Sequence, residues 1–199
     1  MANVFEFVAE ARSVAGSSAS KVIRRQGKVP AVIYGGNEAP VMLTLDHNEL
    51  LKQLVHEAVY SHVLDIKVDG RTEKAVLKHI QRHPAKPQIL HIDFMRVDES
   101  HKLRVHVPLH FINEASSVGV KKGGVINHSM SDVEVVCMPS ALPEYIEVDM
   151  SNVEVGSTLH LSDLVLPAGV EIPELHQGAE HDHPVVQIVK PRGAEEAAE

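Results

Sequence analysis

The sequence contains no tryptophan, and only four phenylalanines and three tyrosines in 199 residues. Any core must therefore be filled mainly by Val, Leu and Ile. The single cysteine, Cys137, excludes an intrachain disulfide and a Cys-based zinc site. It lies in an apolar run and reads as a core residue, not a nucleophile. No apolar run approaches the roughly 20 residues a membrane span needs. Glu6 and Glu10 interrupt the N-terminal stretch where a signal peptide would be continuously apolar. Nucleophile-elbow, Walker and Rossmann glycine patterns are all absent. A soluble, cytosolic protein is expected, with no enzymatic activity, no cofactor and no metal.

Charge is present but unevenly placed. The whole chain carries −8, which argues against a nucleic-acid partner until the chain is divided. Residues 1–96 hold 13 Lys and Arg against 10 Asp and Glu, a balance of +3. Residues 97–199 hold 6 against 17, a balance of −11. Such asymmetry suggests that the first half meets a polyanion and the second does not, although two unrelated domains can also drift apart in charge.

The length suits two domains of about 100 residues. Residues 4–12 alternate apolar and polar and read as a strand. Residues 13–30 open with a Gly/Ser loop; Ser17, Ser18 or Ser20 is expected to cap a short helix that Gly27 closes before Pro30. Strands follow at 31–36 and 41–45. Asp46 reads as the cap of a helix over 47–57 with Leu50, Leu51, Leu54 and Val55 as its stripe. Residues 60–84 read as a hairpin turning at Asp69-Gly70, a type I′ signal, and 89–97 as a last strand. The first half is therefore mainly β, a six-stranded barrel with two helices.

The second half shows β-type runs at 102–111, 133–139, 145–150 and 183–189, which favour a separate antiparallel β domain. The expected division is 1–97, 98–191 and an acidic, disordered tail at 192–199.

The strongest candidate for chemistry is the basic helix and the loop before it. Lys21, Arg24, Arg25 and Lys28 fall at i, i+3, i+4 and i+7, one helical face for phosphates. Gly16 permits close backbone approach, and Ser17 and Ser18 offer small hydroxyl donors. A solvated helix face is the alternative. In the turn at 81–88, Arg82, His83 and Lys86 cluster around two prolines. Beyond it His91 and Asp93, two apart, share one face of a strand, as a surface pair or as an acceptor and donor for bases. The histidine-rich stretch at 174–184, with His176, His181 and His183, is the densest place for a surface metal, but its spacing shows no converging ligand set.

The strings RRQGKVPAVIYGG (24–36) and QRHPAKPQILHIDFMRV (81–97), with LDH before the central helix, resemble the bacterial ribosomal protein L twenty-five family. Length and the acidic β-rich second half resemble its long form, also called general stress protein CTC. The resemblance is specific over 10–97 and general beyond. It implies an N-terminal barrel that grips loop E of 5S rRNA in the central protuberance of the large subunit. There, shape and 2′-hydroxyls are what a protein reads.

The RNA contacts that the resemblance carries over are Arg12, Lys21, Arg24, Tyr34, His91 and Asp93. Lys21 stands where short members often have Arg, Ser17 where a Lys can stand, and Lys78 where a Gln can. The implied partners are 5S rRNA and, for the second domain, large-subunit proteins or 23S rRNA. The chain would act as a monomer within the cytoplasmic ribosome, without a membrane. A protein-interaction module working through the acidic domain is the second reading, and a metal-dependent enzyme the third.

Overall fold

The computed structural model describes residues 5–36, 38–98 and 101–190. The tail at 192–199 lies outside the described residues. The chain divides into two compact units, one of Met1–His106 with Cys137–Glu144, the other of Val107–Val136 with Tyr145–Glu199. No helix among the described residues is long and apolar enough to cross a membrane.

The first unit contains strands β1 (Glu6–Ala11), β2 (Lys28–Tyr34), β3 (Val41–Asp46), β4 (Leu64–Val68), β5 (Arg71–Arg82) and β6 (Ile89–Arg96). They close into a barrel in the order β1-β3-β2-β6-β5-β4. The pairs β1–β4 and β2–β6 run parallel and the other four antiparallel. Closure removes the open edges that would otherwise invite another strand. Alternation aims Val29, Ala31 and Ile33 of β2 inward, with Ile92 and Phe94 of β6, all of them 0% exposed. Each fully buried Val, Leu, Ile or Phe is worth about 1.5–3 kcal/mol, so an aliphatic interior holds the barrel without tryptophan.

Three helices interrupt the strands: α1 (Ser17–Arg25), α2 (His47–Gln53) and α3 (Ala58–Ser61). Asp46 caps α2 as expected, its Oδ1 accepting from the amides of Asn48 at 2.8 Å and Glu49 at 3.1 Å. The helix is shorter than 47–57. After Leu54 the chain tightens, with His56 N donating to Gln53 O and Val59 N to His56 O. That turns Val55 out to solvent and brings Val59 into the core instead. The hairpin turn forms at Asp69-Gly70 with φ of 47° and 87°, the positive pair a type I′ turn requires.

The first unit also takes in the start of β7 (Leu103–Ile112). Leu103 and Val105 cover Val76 on the outer side of β5, with Val63, Met95, Val97 and Leu142 around them. Ser61 Oγ donates to the Glu144 carbonyl at 2.7 Å.

The second unit adds α4 (Val118–Lys121) and β8 (Val125–His128), then β9 (Asp132–Cys137), β10 (Ile146–Asp149), β11 (Thr158–His160), β12 (Val170–Glu171) and β13 (Pro184–Val189). They form sheets ordered β10-β7-β9-β12 and β11-β13-β8. The mainly β class, with a barrel followed by a separate β domain, is as the sequence indicates. The domain departs from an all-antiparallel arrangement, since β10 runs parallel to β7. Residues 113–145, between these two strands, include α4 and β9, so β10 does not follow β7 by the tight turn that makes a hairpin antiparallel. Cys137 is buried, and that burial raises its thiol above the usual range.

Candidate nucleic-acid interface

Helix α1 starts at Gly16, whose φ of 108° suits glycine, and no side chain caps it. The expected serine cap is absent because the N-cap position itself is glycine. Ser20 instead donates its hydroxyl back to the Gly16 carbonyl at 3.1 Å. The amides of the first turn thus face outward without a side-chain acceptor, beside exposed Ser17 and Ser18. Gly27, at φ 75°, follows the last turn as expected.

The helix ends at Arg25, so Lys28 does not belong to its cationic face. It is the first residue of β2, and its Nζ lies 2.6 Å from Glu10 Oε2. An exposed pair of this kind contributes at most about 1 kcal/mol and partly neutralises the cation. Lys21 and Arg25 are exposed and have no side-chain partner among the described residues. Arg24 is half-buried and donates from Nε to the Leu90 carbonyl at 2.9 Å. That bond ties α1 to β6 at the residue before His91.

On β2 and β6 the parallel register sets Val32 beside Asp93 and Tyr34 beside Met95. His91 Nδ1 approaches Asp93 Oδ1 to 2.7 Å. The approach lacks hydrogen-bond alignment, so the buried Oδ1 atom has no hydrogen-bond donor among the described residues. Burial, and secondarily the negative charge of Asp93, raises the Tyr34 hydroxyl above its usual range, so it stays a protonated donor at neutral pH. Arg12 follows β1 and is held by Nε to the Leu43 carbonyl at 3.2 Å and Nη1 to the Val14 carbonyl at 3.1 Å. It orders the entrance to the α1 loop.

The remaining candidates are engaged elsewhere. Arg82 Nη2 donates to the Tyr60 hydroxyl at 2.6 Å, and Lys78 Nζ to the Arg104 carbonyl at 3.0 Å. His83 builds its turn: Nδ1 accepts from the amides of Ala85 and Lys86, each at 3.1 Å.

Two residues that the sequence reading passed over support the face. His47 Nε2 accepts from the Ile89 amide at 3.2 Å and fixes the start of β6. Arg96 Nε lies 2.7 Å from Glu73 Oε2 and its Nη1 donates to the carbonyls of Gly35 and Ala39. It therefore holds the loop that follows Tyr34. No local spacing signals either contact, since both partners are distant in sequence.

Arg24, Tyr34, His91 and Asp93 thus come together around β2, β6 and α1. The arrangement offers cations for phosphates with mixed donors and acceptors beside them, on a rigid barrel. It defines a closed β-barrel protein with a mixed basic and polar face as its candidate interface.

Residues 7–94 match the Ribosomal L25p family and residues 102–192 match the C-terminal domain of ribosomal protein TL5. A large ribosomal subunit protein bL25 of Methylococcus capsulatus is 60% identical over 195 residues, covering 98% of this chain and 96% of that protein. Its counterpart from Cellvibrio japonicus is 53% identical with both chains fully covered. The one from Hahella chejuensis is 54% identical over 98% of this chain and 94% of its own length. The chain belongs to the bL25 family of large-ribosomal-subunit proteins, which are structural proteins and not enzymes.

Proposed function

We propose that this protein binds 5S rRNA at loop E through residues 1–97, as a component of the large subunit in the cytoplasmic ribosome. The observation that carries the reading is the Arg24–Leu90 bond, which holds a cationic helix against the strand bearing His91 and Asp93. Lys21 and Arg25 meet phosphates, and the uncapped start of α1 with Gly16, Ser17 and Ser18 receives another phosphate. Tyr34 donates, while the part-exposed Asp93 carboxylate beside His91 accepts. Mixed donors and acceptors suit the 2′-hydroxyls and base edges of an irregular RNA minor groove. Arg12, Lys28, Lys78 and Arg82 contribute positive potential, with much of their hydrogen bonding spent internally.

The test is a gel-shift titration of full-length protein with 5S rRNA and with a loop E variant. Preference for the intact loop supports the reading, and equal binding of both contradicts it.

The acidic half supports a second role. Its balance of −11 over residues 97–199 disfavours direct grip on RNA. Residues 98–191 then dock on a basic large-subunit protein, or reach 23S rRNA only through such a partner.

A further inference from the structure

Strand β5 carries a one-residue irregularity where it lies beside β6. Leu77 stands opposite Phe94, but the next β6 residue, Asp93, stands opposite His79, which leaves Lys78 as the inserted residue. Bulges of this kind re-aim side chains and occur next to functional sites. Here the consequence can be followed atom by atom. Leu77 and Phe94 fill the core. Lys78 sends its ammonium group to the Arg104 carbonyl on β7. His79 is exposed, and directly paired residues of antiparallel strands point to the same face. It therefore stands on the outer face with Asp93, as Gln81 stands with His91 two register pairs further along.

We propose that His79, and not Lys78, is the β5 residue that contacts RNA, engaging the polar edge of a nucleotide in the minor groove beside Asp93. The inference rests on the RNA-binding reading and extends that face from β6 onto β5. A lysine ammonium only donates and a carboxylate only accepts. A neutral imidazole does both, so His79 with Asp93 can pair with a 2′-hydroxyl in either sense. Opposed Cβ atoms in such a pair lie about 5 Å apart, close enough for both side chains to reach one nucleotide or two adjacent ones.

The experiment titrates full-length protein against 5S rRNA at one salt concentration and maps 2′-hydroxyl reactivity in each complex. It compares the unaltered protein with His79→Ala, His79→Gln, Lys78→Ala and Arg24→Ala. His79→Ala is expected to weaken binding about tenfold and to expose one or two nucleotides. His79→Gln should restore part of both, and Lys78→Ala should leave the protected nucleotides unchanged. Because His79 is exposed, thermal melting should not move. If His79→Ala binds normally while Arg24→Ala is weakened, the His79 contact is wrong and the RNA reading stands. If Lys78→Ala is the variant that exposes nucleotides, the assignment across the bulge is reversed. If the unaltered protein does not bind, both inferences fall.

Discussion

Arg24 on α1 and Leu90 at the start of β6 are 66 residues apart in sequence and joined by a 2.9 Å hydrogen bond from guanidinium Nε to carbonyl oxygen. Among the described residues only Nε of this guanidinium has a hydrogen-bond partner, which leaves both Nη groups unpaired. One arginine thereby sets the helix on the strand and presents a fork to a phosphate or a base edge.

Replacing Arg24 by alanine should cost about 1–3 kcal/mol of RNA affinity. Arg24→Lys should recover only part, since one ammonium cannot hold Leu90 and offer a planar fork at once. Isothermal titration of both variants checks this, and equal affinity of alanine and lysine forms would remove the fork from the account.

The core of the first unit extends past residue 97. Leu103 and Val105 are 3% and 1% exposed over Val76. A fragment ending at 97 should melt well below one ending at 106, because uncovering large apolar side chains costs about 1.5–3 kcal/mol each. Calorimetry of the two fragments decides it; coincident melting would show that the β7 residues add nothing.

How much of this was legible in the sequence varies by residue. The type I′ turn and the Asp46 cap follow from local chemistry and were readable. The bulge at Lys78 was not, since period-2 alternation does not announce an inserted residue. Lys28 fits helical spacing, yet the chain leaves the helix at Gly27, and spacing cannot tell which side of a glycine a cation falls on. Strands β8, β11 and β12, of four, three and two residues, are too short to show a period. The engagement of Lys78 and Arg82 depends on Arg104 and Tyr60, partners more than 20 residues away. Sequence patterns could nominate such residues but not say which were already occupied.

Glycine at 124 is a packing requirement. A Cβ there would meet Ile188 Cγ2 at 2.5 Å and the Gly119 carbonyl at 2.9 Å. Gly124→Ala should destabilise the second unit by about 1–3 kcal/mol, as overpacking does. Gly70→Ala meets nothing within 4 Å and should cost about 1–2 kcal/mol through its positive φ alone. RNA affinity of the folded protein should survive Gly124→Ala; urea melts alongside binding titrations test both statements.

Asp46 is held below the usual carboxylate range, first by the amide of Glu49 and then by that of Asn48. A lowered folded-state pKa means that its contribution is complete above the ordinary aspartate range. The contribution is lost as pH falls through the lowered value. The cap of α2 should therefore weaken only in acid, and Asp46→Ala should flatten the part of the stability profile that lies on the acid side of the ordinary aspartate range. Denaturation at a series of pH values measures it, and an unchanged acid slope would contradict the cap.

The central claim is tested most directly by fluorescence titration of full-length protein with 5S rRNA, intact and with loop E altered, at two salt concentrations. Tight binding to the intact RNA, weakened by salt and lost when loop E is altered, is the predicted result. Weak binding indifferent to loop E would contradict it and shift attention to the acidic domain.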